Sequence, residues 1–193
     1  MDKEVRYLNS NIRALSDDSR TVEGYALVFN KESADLGGFT EVIDRNAINE
    51  ETLQKCDIKC WLNHDQKRGI LARYKRGKGS LQLSIDEIGL HYKFDAPKNA
   101  LGDELIENLK RGDIDSSSFA FSLAAEGGQK LEKRGGKFLR TILKFEQIYD
   151  VSPVYDPAYS DTTVATRSIE NVQKIEAEKL EEYWNDLTKQ IIE

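Results

Sequence analysis

Two residues in this chain are placed to do chemistry together. His64 lies in Asp57-Ile58-Lys59-Cys60-Trp61-Leu62-Asn63-His64-Asp65, and Ser118 lies in Gly112-Asp113-Ile114-Asp115-Ser116-Ser117-Ser118-Phe119-Ala120-Phe121-Ser122. A serine hydroxyl becomes a useful nucleophile at neutral pH only when a neighbouring base takes its proton, and imidazole is the side chain best suited to that exchange. The pair points to a serine hydrolase. Such a base needs an acceptor on its other ring nitrogen. The strand after the serine offers Glu146 and Asp150, which share a face if no bulge intervenes. Glu146, inside the strand, is the expected acceptor, and Asp150 stays open.

The elements that must position these groups are read from periodicity. Residues 4–15 and 21–29 alternate as two strands of an opening hairpin around Ser16-Asp17-Asp18-Ser19. Asp44 is expected to cap a short helix to about Gln54. The strand that follows carries Ile58, Cys60, Leu62 and His64 on one face, which puts the histidine at the end of an apolar row. Strands are expected at 71–74, 80–85 and 90–94, then a helix from Pro97 to Arg111 with Leu101, Leu105 and Leu109 as its buried stripe and Gly112 as its stop. In the serine strand Ile114, Ser116, Ser118, Ala120 and Ser122 share one face, and Phe119, Phe121 and Leu123 the other. Ser117 then points with the phenylalanines, and Ser116 is the competitor to Ser118. Residues 127–136 read as an exposed glycine-bounded loop, and 138–151 as one long strand. The prolines of Ser152-Pro153-Val154-Tyr155-Asp156-Pro157 are expected to exclude an interior strand there. From Ser168 to Glu193, Ile169, Val172, Ile175, Leu180, Tyr183, Trp184, Leu187 and Ile191 recur at near-helical spacing. This divides the chain into a body over 1–167 and an amphipathic helical tail over 168–193, suited to packing or self-association.

Composition bounds the partners. The chain has 193 residues, 39% of them hydrophobic and 32% charged, and 34 acidic against 28 basic side chains leave a net charge of -6. That is room for one substantial core, and the mild acidity argues against nucleic-acid binding. No apolar run approaches a membrane span, and Met1-Asp2-Lys3-Glu4 lacks the apolar stretch of a signal peptide, so a soluble cytoplasmic protein is expected. Cys56 and Cys60 lie four residues apart, too far to bridge along a strand, and read as reduced thiols. With His64 and His91 the only imidazoles, a metal site lacks ligands. No metal or other cofactor is expected. Lys67, Arg68, Arg73, Lys75, Arg76 and Lys78 read as a solvated basic hairpin.

Several segments resemble one family. Val5-Arg6-Tyr7-Leu8, Val22-Glu23-Gly24-Tyr25-Ala26-Leu27-Val28-Phe29-Asn30, Gly38-Phe39-Thr40-Glu41-Val42-Ile43, Leu62-Asn63-His64-Asp65, Gly112-Asp113-Ile114, Ser118-Phe119-Ala120-Phe121 and Asp150-Val151-Ser152-Pro153-Val154 occur in an order similar to that of the prohead maturation proteases of tailed bacteriophages. That group is related in fold to the herpesvirus assembly proteases, and the resemblance covers most of residues 3–168. It implies a mainly β, α+β fold built as an antiparallel β-barrel with flanking helices. It also implies an endopeptidase that cuts capsid and scaffold proteins inside the prohead, in the host bacterial cytoplasm. The family's catalytic histidine maps onto His64 and its serine onto Ser118, although Ser116-Ser117 and Ala120 stand where members often carry Gly-Met and glycine. Glu146 falls where the herpesvirus relatives place their third member. Because theirs is a histidine, His91 is a further candidate, with core packing its expected role. Arg140 and residues 151–155 are candidates for lining the cleft. The resemblance also allows the tail to be a removable targeting segment. The alternative function is a non-catalytic capsid-assembly module that binds scaffold or capsid protein.

Overall fold

The computed structural model describes residues 3–8, 12–16 and 19–155, together with Glu170 and Lys174. The chain divides into two units, Met1–Asp161 and Thr162–Glu193, and all that follows concerns the first. The helical tail expected over 168–193 lies outside the described residues apart from Glu170 and Lys174.

The described strands are β1 (Glu4–Leu8), β2 (Arg13–Ala14), β3 (Thr21–Val28), β4 (Phe39–Ile43), β5 (Asp57–Cys60), β6 (Ala72–Lys75), β7 (Lys78–Gly79), β8 (Leu81–Ile85), β9 (Gly89–Asp95), β10 (Ser116–Leu123), β11 (Gln129–Arg134), β12 (Lys137–Ile142) and β13 (Phe145–Val154). Two α-helices, α1 (Glu50–Lys55) and α2 (Ala100–Arg111), and a short 3-10 helix at Gln66–Arg68 join them. The fold is therefore mainly β with few helices. The closed antiparallel barrel is not what forms. Among the described residues the strands make three sheets, ordered β1-β10-β13-β5-β6-β7, β11-β12-β4 and β2-β3-β9-β8. Two pairings, β12 with β4 and β13 with β5, are parallel.

The opening hairpin is corrected too. Among the described residues of 4–15, Arg13 and Ala14 alone pair with β3, while β1 runs antiparallel to β10, with Tyr7 opposite Ser118. Charge explains the choice. Glu4 and Arg6 are buried, and a buried charge needs a paired partner. Those partners are Glu41 on β4 and Arg140 on β12. Arg140 contacts both carboxylates, at 2.6 Å from Glu4 and 2.8 Å from Glu41, and Arg6 contacts both at 2.7 and 2.9 Å. This four-charge cluster ties the six-stranded sheet to the three-stranded one. Arg140, a candidate for lining the cleft, belongs to that cluster.

Where local signals dominate, elements fall close to expectation. In α2 the Asn99 side chain accepts the Gly102 N–H, and Gly112 ends the helix at φ 76°, a left-handed geometry that costs glycine nothing. Leu101 and Leu105 are buried. Helix α1 starts later than expected because Asn49, not Asp44, accepts the capping bond, from Thr52 N–H. Asp44 instead holds a turn through Asn46 N–H. Residues 129–142 form a β11–β12 hairpin turned at Gly135-Gly136, and the single strand expected over 138–151 is two. The break falls at Leu143-Lys144, whose amides both donate to the Gly128 carbonyl, and it sends the chain from the three-stranded sheet into the six-stranded one.

Candidate active site

Ser118 sits in β10, an inner strand with β1 on one side and β13 on the other. Both faces of β10 are covered. Phe119 and Phe121 stack at 5.1 Å, and both meet Phe145 edge-on, which anchors one face in apolar packing. The opposite face is polar and buried. On the aromatic face Ser117 exchanges a 2.7 Å hydrogen bond with the Tyr92 hydroxyl, and on the polar face Ser116 donates to Asp115 at 2.6 Å. Of the three adjacent serines, Ser118 is the one whose Oγ meets His64 Nε2, at 2.5 Å.

His64 is not on a strand. β5 ends at Cys60, and the chain turns sharply, with Asn63 at φ 53° and His64 at φ 58°. Two successive left-handed residues without glycine cost roughly 1–2 kcal/mol each, although Asn and His tolerate the region better than most. Tertiary bonds hold the turn. Asn63 N–H donates to the Pro153 carbonyl at 2.9 Å, Trp61 N–H to Ser152 Oγ at 3.4 Å, and Leu62 is buried beneath. Pro153, which was expected to exclude a strand, lies inside β13 opposite Ser117. Its carbonyl points at the histidine turn, so its missing N–H falls on the same side, away from the β10 ladder.

Asp150 occupies the other side of the imidazole. Its Oδ1 is 2.5 Å from His64 Nδ1, close enough for charge pairing but off the line that a ring N–H needs for a good hydrogen bond. Ser152 Oγ donates to the same oxygen at 3.1 Å, and Lys3 Nζ lies 3.2 Å from Oδ2. Burial alone would lift this carboxyl, but His64 and Lys3 outweigh it and hold it below its ordinary value, so it is a carboxylate at neutral pH. Tyr7 stands edge-on to the imidazole, ring centroids 6.2 Å apart at 87°. Burial and then the Asp150 charge push its phenol up, which keeps it neutral.

Glu146 takes no part in this row. The expectation that it shares a face with Asp150 fails because β13 is bulged twice against β10. Ala120 faces Asp150 but Phe121 faces Ile148, so Tyr149 is extra, and Ser122 faces Gln147 but Leu123 faces Phe145, so Glu146 is itself extra. Its side chain is exposed. His91 lies elsewhere, on β9 opposite Tyr25, with Nε2 3.8 Å from Glu23 and its side chain 24% exposed rather than packed in the core. Asp65 turns away from the site to accept the Lys67 N–H at 2.9 Å. Sequence reasoning missed Lys3, Arg6 and Tyr7 as neighbours of the site, which the pairing of β1 with β10 brings there, whereas Ser152 falls within the 151–155 stretch that is a candidate for lining the cleft.

Other expectations concern the surroundings. Both cysteines are buried and free, and burial raises their thiols. Within the basic stretch, Arg68 pairs with Glu104 and Arg73 with Asp57, so part of its charge is locally neutralised. Among the described residues no cluster of potential metal ligands occurs, and no helix is long and apolar enough to cross a membrane.

A serine, an imidazole and a buried carboxylate in sequential contact can activate a hydroxyl for acyl transfer. Comparison with known proteins bears on what this arrangement serves. No curated protein matches the chain. Among solved structures, that of the bacteriophage T4 capsid assembly protease, gp21, aligns with 81% of this chain and 100% of its own, at 10% identity and a TM-score of 0.46. The sequence profile of the caudovirus prohead serine proteases matches residues 8–175, most of the chain, and the chain accordingly belongs to that family of proteases.

Proposed function

We propose that the chain is a serine endopeptidase that cuts capsid and scaffold proteins during prohead maturation, with Ser118 as nucleophile, His64 as base and then acid, and Asp150 as the residue that orients the imidazole. The observation that carries this reading is the unbroken row from Ser118 Oγ through His64 to Asp150, with both contacts at 2.5 Å. Its members come from β10, the turn after β5 and β13, segments far apart in sequence.

In the reaction, His64 Nε2 takes the Ser118 proton as Oγ attacks the scissile carbonyl. The imidazolium then lies against the Asp150 carboxylate, which stabilises its charge and keeps Nδ1 protonated. The Nε2 proton passes to the leaving amine, and a water activated by the same nitrogen releases the acyl group from Ser118. Ser152 and Lys3 fix the carboxylate by bonding its two oxygens, Ser152 to Oδ1 and Lys3 to Oδ2.

Co-expression with the major capsid and scaffold proteins of the same locus, following their masses over time, tests the reading. Defined shortening that Ser118→Ala and His64→Ala both abolish is the expected result. Full-length proteins that still co-purify with the wild-type chain would replace it with a binding module.

A further inference from the structure

Strand β1 touches every member of the Ser118–His64–Asp150 row. Lys3, just before the strand, lies 3.2 Å from Asp150. The Arg6 carbonyl accepts the Ser118 hydroxyl at 3.0 Å, and the Tyr7 ring stands against the His64 imidazole. Beneath these contacts Ser118 is 0% exposed. An endopeptidase must bring the carbonyl carbon of a peptide to Oγ, which this arrangement does not admit.

Proton transfer itself needs no such opening. The Asp150 carboxylate against Nδ1 favours a bare Nε2, and the Ser118 hydroxyl can turn its single proton to that nitrogen by rotating about its own bond. What the paired strand blocks is the approach of a peptide carbonyl to Oγ.

Resting on the reading of Ser118 as nucleophile, we propose that β1 is a gate: in its paired position it holds the protease latent, and its separation from β10 around Arg6 exposes Ser118 to substrate. The strand's position suits the role. β1 is at the edge of its sheet, so it can leave without breaking another ladder. The four-charge cluster of Glu4, Arg6, Glu41 and Arg140 is its latch, since two of those side chains belong to β1 and the others to the three-stranded sheet. Opening is then a population shift, and anything that binds the separated strand or the exposed β10 edge favours the active state.

A reversible tether tests the gate. Val5 faces Ala120 across β1 and β10, next to the Arg6 contact, and opposed residues of antiparallel strands have the separation a disulfide needs. The full chain with Val5→Cys and Ala120→Cys is oxidised or reduced and treated with a fluorophosphonate, and Ser118 modification is followed by intact mass, with wild type under both conditions as the redox control. Modification at least about tenfold slower in the oxidised form, restored by reductant, is expected for a gate that must open. Equal rates in both forms would overturn the gate and leave the nucleophile in place. No modification in wild type, in either form or in Glu4→Gln, whose latch is broken, would overturn the nucleophile assignment and the gate with it. Should the double variant not fold, hydrogen exchange of wild-type β1 decides. Amide protection over residues 4–8 is expected to fall once Ser118 carries the phosphonate, and unchanged protection would refute the proposal.

Discussion

The two histidines of this chain have outwardly similar surroundings. Each has a carboxylate near a ring nitrogen and a tyrosine edge-on to the ring, Asp150 and Tyr7 for His64, Glu23 and Tyr25 for His91. The carboxylates separate them. Asp150 has a 2%-exposed side chain at 2.5 Å, braced by Ser152 and Lys3, whereas Glu23 is 3.8 Å from its histidine and also pairs with the exposed Arg13. Of the two, only His64 has a hydrogen bond to a serine hydroxyl. An imidazole beside a carboxylate is thus a common surface arrangement. A third group in line and a carboxylate removed from water give it the means to move a proton.

The largest test of that contrast removes each ring or its serine. Ser118→Ala or His64→Ala is expected to lower capsid-protein cleavage by about 10⁶-fold, the loss seen when one member of such a unit is removed. His91→Ala should leave cleavage essentially at the wild-type rate. A comparable loss in His91→Ala would erase the distinction.

The carboxylates come next. Asp150→Asn is expected to cost about 10⁴-fold by favouring the wrong tautomer of His64. Glu146→Gln, at an exposed bulge residue, should cost nothing measurable in the same assay. The reverse ranking would return the role to Glu146.

This residue also shows how far the sequence can be read. His64 and Ser118 are legible because their local segments resemble a family pattern, and β3, α2, β8 and β9 are legible because periodicity and caps are local. Asp150 is ambiguous against Glu146 because period-2 parity holds only along an unbroken strand, and the two bulges of β13 fall between and upon these residues. The partner of β1 is illegible for a different reason. Its apolar alternation suits either β3 or β10, and the buried charges that choose between them lie on β4 and β12.

Stability separates the regions by a smaller margin. Glu4→Gln leaves two buried arginines sharing Glu41, and breaking such a pair costs about 3–5 kcal/mol. Glu23→Gln removes a partly exposed ion pair worth under about 1 kcal/mol. Urea unfolding of the two variants measures the difference, and equal midpoints would contradict a buried latch.

The gentlest test is pH. Glu4 and Asp150 have ordinary values of 4.5 and 3.8, and both are held lower in the fold, where arginine and His64 with Lys3 overcome burial. The unfolded chain therefore binds protons first as acid is added. Stability from these groups is complete above their ordinary values and is lost as pH falls through the lower folded ones. The urea midpoint should hold steady down to about pH 5 and fall below it, with a shallower fall in Asp150→Asn. An identical acid slope in that variant would show that Asp150 is not held as described.

The sequence by itself determined the pieces whose information is local: the Gly112 helix stop, the glycine turns, most strands, and the histidine and serine motifs that mark the family. Only the tertiary structure decided which carboxylate meets His64, which strand lies over Ser118, and that three sheets form in place of a closed barrel. Those choices depend on strand register, bulges and the pairing of buried charges between residues far apart in the chain. Each is an energy that exists only once the strands have come together.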